Sequence, residues 1–308
     1  MKKVLVIGCL NMDYSVTASR FPKPGETLLG ESVKISAGGK GATQAYTVGK
    51  LGGRAAMIGY VGEDFQGQQL IDNLASVGVD VSGVSAYPGE VTGQAFITID
   101  SSSGQNHIVA VGGANARVDR RAVDDHRAMF EEADIILMQH EIPVDTVYYA
   151  KELALELGKT VIIDPGPAFP DLREDFFRGV TYAKPNETEL AILTGINTDT
   201  MEGIEKGAAR MLEMGVEHVI VSLGGRGCYV ADRSGSRLIE AIPVKAVDTT
   251  AAGDSFIAAF ALALSAGRSE DEAIAYAQAV ASISVTRKGA QASIPEPEEL
   301  AAKGFVFS

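Results

Sequence analysis

Short, unbroken apolar runs punctuate this chain. Val4-Leu5-Val6-Ile7 comes first, and Ile135-Ile136-Leu137-Met138, Val161-Ile162-Ile163 and Val219-Ile220-Val221 repeat the pattern. Runs this short and continuous predict parallel strands buried on both faces. Helical stretches at 146–157 and 201–214 separate the later ones. From Asp134 onward the alternation implies right-handed βαβ crossovers. The fold class is therefore α/β, a doubly wound, mostly parallel sheet with helices on both faces. Such sheets bind ligands at the carboxyl ends of their strands, where Glu141, Asp164 and Ser222 fall. A run of small and apolar residues at 257–263 predicts a further helix, buried on all sides.

The amino-terminal part breaks that alternation. A Pro/Gly turn at 21–27 leads into a polar, partly alternating segment at 28–36 that predicts an exposed strand. Segments 94–100 and 107–111 predict a hairpin around 101–105. Together these strands predict a small β-sheet lid over one face of the larger layer, placed to exclude water from a site beneath it. No long linker, low-complexity tract or repeat divides the chain. Residues 1–308 are expected to form a single domain, with lid strands from about 12–36 and 91–111.

Composition narrows the partners. With 308 residues, 46% of them hydrophobic, a sizeable core is within reach. The 27 Lys+Arg against 40 Asp+Glu leave a net charge of -13, which argues against nucleic acid or an anionic membrane as partner. An anionic substrate needs a local basic spot. The amino-terminal apolar run is too short for a signal peptide, so a cytoplasmic location is expected. Cys9 and Cys228, both in strand-like runs, make neither a disulfide framework nor a metal site. His107, His126, His140 and His218 show no ligand spacing and are expected to be structural or on the surface.

Five stretches carry candidate chemistry. Asn11 and Asp13, two apart, share one face of an extended segment, where they serve either local turn bonds or the hydroxyls of a sugar. Residues 37–45 form a glycine-rich turn opening a helix to about Leu51. It is neither a P-loop nor a dinucleotide fingerprint. Its glycines suit a ligand's approach or a plain strand-to-helix turn, and Lys40 offers a charge or a donor. Asn186 and Glu189 fit a capping box, and equally a carboxylate near a phosphate-bound Mg²⁺. Leu223-Gly224-Gly225-Arg226-Gly227 reads as a loop after a strand. In Asp248-Thr249-Thr250-Ala251-Ala252-Gly253-Asp254-Ser255-Phe256, a helix start can hold an anion, with Gly253 admitting close approach and Asp254 beside it as a base. Asp254 also suits the N-cap of that helix.

In order along the chain, Gly38-Gly39-Lys40-Gly41-Ala42, Asn186-Glu187-Thr188-Glu189, Asp248 to Asp254 and Val285-Thr286-Arg287-Lys288-Gly289-Ala290-Gln291 resemble the ribokinase branch of the ribokinase-like, or PfkB, sugar kinase family. The resemblance spans nearly the whole chain. It implies ATP-dependent phosphorylation of the terminal primary hydroxyl of a pentose, D-ribose first, with deoxyribose, another sugar or a nucleoside as alternative substrates. It implies that Asp254 is the catalytic base and that the amides of Ala251, Ala252, Gly253 and Asp254 form an anion hole. Asn11, Asp13, Gly39, Lys40 and Glu141 match sugar-contacting positions, and Gly41, Ala42 and Thr43 continue the segment that lines the sugar. Asn186, Ser222, Leu223, Gly224, Gly225, Arg226, Gly227, Gly253 and Gln278 match nucleotide-side positions. Glu189 belongs to the motif linked with Mg²⁺, through water. Asp248, Thr250, Ser284, Arg287, Gly289 and Ser293 match positions that hold K⁺, largely by carbonyl oxygens. A homodimer through the lid is implied as well. One residue departs from the pattern: ribokinases usually carry Asn where this chain has Thr43, so one hydroxyl replaces an amide among the sugar contacts.

Overall fold

The computed structural model describes residues 1–306. Nine strands form the main sheet, in the order β13 (Gly235–Ile239), β12 (Cys228–Asp232), β11 (His218–Ser222), β10 (Tyr182–Ala183), β9 (Thr160–Asp164), β8 (Ile135–Gln139), β1 (Lys3–Ile7), β4 (Arg54–Gly62), β5 (Asp80–Tyr87). All neighbours from β5 to β11 pair in parallel, and β12 and β13 add an antiparallel edge. The helices are α1 (Lys40–Lys50), α2 (Phe65–Ser76), α3 (Arg120–Asp124), α4 (Arg127–Glu132), α5 (Val144–Glu156), α6 (Glu187–Thr194), α7 (Met201–Glu213), α8 (Ala252–Ser265), α9 (Glu270–Ser284) and α10 (Pro297–Ala301). From β1 the chain first builds outward through β4 to β5, then returns to lay β8, β9, β10 and β11 on the other side. The order reverses between β1 and β8. That is the switch point at which open α/β sheets bind ligands.

Alternation along β1 divides the core in two. Val4 and Val6 pack with α1, α2, α8 and α9 on one face, while Leu5 and Ile7 pack with α3 to α7 on the other. Helix α8 is apolar all round, and every residue from Ser255 to Ala263 is buried. Its alanines let α1 and α9 approach closely. The expected buried helix is thus present, two turns longer than its apolar run.

A second sheet has the order β3 (Ser32–Gly38), β2 (Asn11–Ala18), β6 (Gly93–Asp100), β7 (Asn106–Val111). β6 and β7 form the expected hairpin, and β2 joins β6 in parallel. The strand expected over 28–36 instead covers Ser32–Gly38. Its limits follow its partner, with Ser32 opposite Thr17 and Gly38 opposite Asn11, and Leu29 lies outside the ladder, 87% exposed. The parallel sheet also begins earlier than the apolar runs indicated, since β4 and β5 belong to it. Cys228 is in β12, but Cys9 lies in the buried junction between β1 and β2 rather than in a strand.

Chain geometry explains the glycines before α1. Gly39 has φ 84°, and a Cβ there would stand 2.9 Å from the Asn11 amide nitrogen. A Cβ on Gly41 would stand 2.8 Å from the nitrogen of Cys9. Both glycines let the first turn of α1 seat against the β1–β2 junction, so the close approach they permit is of chain to chain. Because Phe260 is fully buried at the centre of α8, Phe260→Ala is expected to cost ~3–5 kcal/mol. Urea denaturation checks this as a lower midpoint at unchanged slope.

Candidate active site

Asp164 closes β9 and is fully buried. Its Oδ2 accepts from Lys40 Nζ at 3.1 Å and from Gln44 Nε2 at 3.0 Å. Its Oδ1 lies 3.1 Å from Lys184 Nζ, an ion pair whose geometry falls short of a hydrogen bond. Burial alone would raise the Asp164 pKa, but Lys184 and then Lys40 outweigh it and hold the group ionised, below the usual range. Burial works against the Lys40 ammonium too, yet Asp164 and Asp254 keep it well above the ordinary lysine value. Lys40 and Gln44 are four apart on α1 and so share one face. Gln44 extends the network: its Oε1 accepts from Gln139 Nε2 at 2.6 Å, and its Nε2 also donates to Asp254 Oδ1 at 2.9 Å.

Asp254 is the third residue of α8. The alternative that it caps this helix is overturned, because the cap position belongs to Ala251 and no side chain caps the helix. Ala251 has φ 59°, the one non-glycine in the left-handed region among the described residues. That conformation costs roughly 1–2 kcal/mol for a residue with a Cβ. It aims the following amides outward. The Ala252 amide closes a turn on the Thr249 carbonyl at 3.2 Å. The amides of Ala251, Gly253 and Asp254 have no hydrogen-bond partner among the described residues. At the electropositive start of a fourteen-residue helix, they suit an anion.

The turn faces a cleft of about 830 Å³. Of the residues expected on the nucleotide side, Asn186, Ser222, Gly224, Gly225, Gly227, Gly253 and Gln278 line it. Leu223 is instead buried in the core, and Arg226 is not among the lining residues but pairs with Glu187, which is. The capping box of α6 is realised: Asn186 Oδ1 accepts from the Glu189 amide and Glu189 Oε2 from the Asn186 amide, each at 2.8 Å. This leaves Glu189 Oε1 and Asn186 Nδ2. A single free carboxylate oxygen suits Mg²⁺ held mainly by water and phosphate oxygens.

Beyond Lys40 lies a second set of groups. Asn11 and Asp13 stand on one face of β2. Buried Asn115 donates to Asn11 Oδ1 at 2.7 Å, which leaves the Asn11 amide N–H groups to a ligand. Glu141 Oε2 accepts from the Cys9 thiol at 2.6 Å and from the Lys40 amide at 3.2 Å. Burial, then the charges of Glu141 and Asp254, push Asp13 up to about 7. Burial also raises Glu141. Gly41 and Ala42 are buried in the first turn of α1, and Thr43 is turned towards Gln291, whose Nε2 lies 3.4 Å from its hydroxyl.

The residues expected at a K⁺ site gather beside the 251–254 turn. Asp248 accepts from the Thr250 amide at 2.9 Å and the Gly289 amide at 2.8 Å, and its own amide bonds to Val285. The Ser284 carbonyl accepts from the Arg287 amide, while the Arg287 guanidinium pairs with Glu299. The Ser293 hydroxyl donates to the Ala290 carbonyl. His218 has the structural role expected of it, meeting Glu270 at 2.7 Å and Asp232 at 3.9 Å. Arg237 also binds Glu270, so the cluster is an ion-pair network at the opposite end of β11 from Ser222.

Gln44, Lys184, Gln139 and Asn115 also belong to the site or its supports, although no motif marks them. Lone polar residues in a helix or just after a strand follow no spacing rule. The one available signal was polarity at positions that the apolar pattern buries.

The chain matches the pfkB family carbohydrate kinases over residues 1–297. A ribokinase of Haemophilus influenzae is 39% identical over 300 residues, covering 97% of this chain and 97% of its own length. A deoxyribokinase of Salmonella typhi is 34% identical over 296 residues, 96% of each. The solved ribokinase of Arabidopsis thaliana, complexed with ribose and ATP, superposes with a TM-score of 0.91 at 35% identity over 98% of both chains.

Because Asp13 titrates far above an unfolded Asp at ~3.9, the native state holds this proton more tightly, and the group subtracts stability as pH rises from ~4 to ~7. Carbon-13 NMR of the Asp13 carboxyl should show a midpoint about 7. Glu141→Gln should lower it, and Asp13→Asn should remove the loss of stability across that window. A midpoint in the ordinary carboxyl range of roughly 3–4.5 would contradict the burial argument.

Proposed function

The chain belongs to the pfkB family of carbohydrate kinases, and on that premise we propose that it transfers the terminal phosphoryl group of ATP to the primary hydroxyl of a pentose, D-ribose first. One observation carries this reading. Asp254 stands where the cleft meets the polar groups of β2 and α1, beside unpartnered helix-start amides. A hydroxyl positioned there has a base within reach and amide donors for a phosphoryl group next to it.

In this mechanism Asn11, Asp13, Lys40 and Glu141 hold the sugar, with Gly39, Gly41, Ala42 and Thr43 shaping that wall. Asp254 accepts the proton of the attacking hydroxyl. The amides of Ala251, Gly253 and Asp254 stabilise charge on the transferring phosphoryl, which is most of what such catalysis requires. Glu189 would hold Mg²⁺ through water, and that ion supplies charge neutralisation on the phosphate oxygens. Asp248, Thr250, Ser284, Arg287, Gly289 and Ser293 would hold K⁺, largely by carbonyls, where a fixed charge shapes the adjoining turn. Deoxyribose is the second reading, favoured by the deoxyribokinase relative and by the turning of Thr43 towards Gln291.

The small sheet acts as lid and dimer interface. Val33, Val16 and Ile35, Tyr14, Phe96, Val109 occupy neighbouring rows of one face. That face is apolar and open, with Val33 66% and Val109 65% exposed. An apolar face of this kind marks an interaction site, here a second copy of the chain. Among the described residues no helix is long and apolar enough to cross a membrane.

Three measurements test these readings. An ADP-release screen of pentoses and nucleosides, run in K⁺ and then in Na⁺, should give the highest rate with ribose and K⁺. No ADP with any acceptor would end the kinase reading. Asp254→Asn should cut turnover by ~10²–10⁴ with sugar binding little changed. Sedimentation at working concentration should give a dimer, and Val33→Asp with Val109→Asp a monomer.

A further inference from the structure

A chain of net charge -13 that takes a polyanion needs local positive charge at the point of transfer. Among the described residues, the cations lining the cleft are two lysines, Lys40 and Lys184. They are not equivalent. Lys40 is fully engaged, with Asp164 at 3.1 Å and Asp254 at 3.5 Å. Lys184 is 3% exposed and, among the described residues, meets only two groups at short range, Asp164 Oδ1 at 3.1 Å without hydrogen-bond geometry and the Gly253 carbonyl at 3.4 Å. An ammonium has three N–H donors, and this one is underused. It also sits at the turn itself, since a Cβ on Gly253 would lie 2.9 Å from its Nζ. The two lysines offset the carboxylates of Asp164 and Asp254, so the helix-start amides adjoin a balanced cluster with Lys184 on its cleft side.

We propose that Lys184 is a further catalytic residue, donating from its ammonium to the phosphoryl group as that group passes over the Gly253–Asp254 turn, with Asp164 as the positioning residue that holds it there. The proposal rests on the reading of that turn given above. In the step, the bond from phosphorus to the ADP oxygen breaks and the bond to the sugar oxygen forms. The hydroxyl proton goes to Asp254, and Lys184 keeps all its protons. A fixed, water-excluded donor of this kind gains strength only as charge develops. The competing role for Lys184 is to neutralise Asp164 and nothing more. The two roles separate when Asp164 is neutralised independently.

The test compares Lys184→Met, Asp164→Asn and the double variant in steady-state kinetics, with calorimetric binding of ADP and sugar. Lys184→Met should lower kcat by ~10²–10³, the effect of removing one such donor, while both dissociation constants stay within about threefold. The double variant, which leaves no buried charge unpaired and so carries the test if Lys184→Met fails to fold, should remain as slow. Turnover of Lys184→Met within about threefold of the unmodified chain, or recovery in the double variant, would overturn the proposal. Asp254→Asn serves as the control. If it keeps normal turnover, the reading of the turn itself is wrong. If it is inactive while Lys184→Met is active, only the role of Lys184 falls.

Discussion

Asp164 is the constraint around which the site is arranged. A carboxylate with no exposed surface at the end of a central strand is costly to bury, and only close, well-placed countercharges offset that cost. Its partners come from separate parts of the chain, Lys40 and Gln44 from α1 and Lys184 from the end of β10. The carboxylate therefore joins the amino-terminal half of the site to the carboxyl-terminal half. Removing one partner would leave a charge stranded, so the network fixes position rather than adding much net stability. Through Gln44 and Lys40 the same network reaches Asp254.

That arrangement follows from topology. The strand order reverses between β1 and β8, so the segments leaving these two parallel strands diverge and open a crevice. From β1 comes the tight junction carrying Asn11 and Asp13, and shortly after β8 comes Glu141. Helix α8 is apolar beyond its first turn, which holds that length in the core, and its polar start projects into the crevice. On the function proposed above, a hydroxyl and a phosphate would thereby meet at one carboxylate.

Much of this was legible in the residues. Continuous apolar runs told of strands buried on both faces because burial on both faces is what removes polar positions. The Asp248–Asp254 stretch fits a helix cap as well as an anion site by itself, and only its place in an ordered set of motifs tips it towards the anion. What was not legible was long-range. β4 is not evident from its residues because Arg54-Ala55-Ala56-Met57 reads as helix as readily as strand, and its pairing with β1 decides the matter. Lys184 and Gln44 carry no spacing signature, and their meaning appears only once Asp164, over a hundred residues from Gln44, is between them. The capping box at Asn186 fitted two readings, and the structure satisfies the bland one while leaving one carboxylate oxygen over for the other.

Ala251 has a consequence for anyone who wishes to make this protein hardier. Its left-handed backbone is an evident target for glycine, since the strain of a Cβ there would disappear. Yet glycine would also free the turn to wander, and the amides that follow would lose their fixed aim. Thermal robustness and chemical readiness pull in opposite directions at this one position, as they do wherever an active site stores strain. The methyl group of Ala251 marks which of the two the chain has kept.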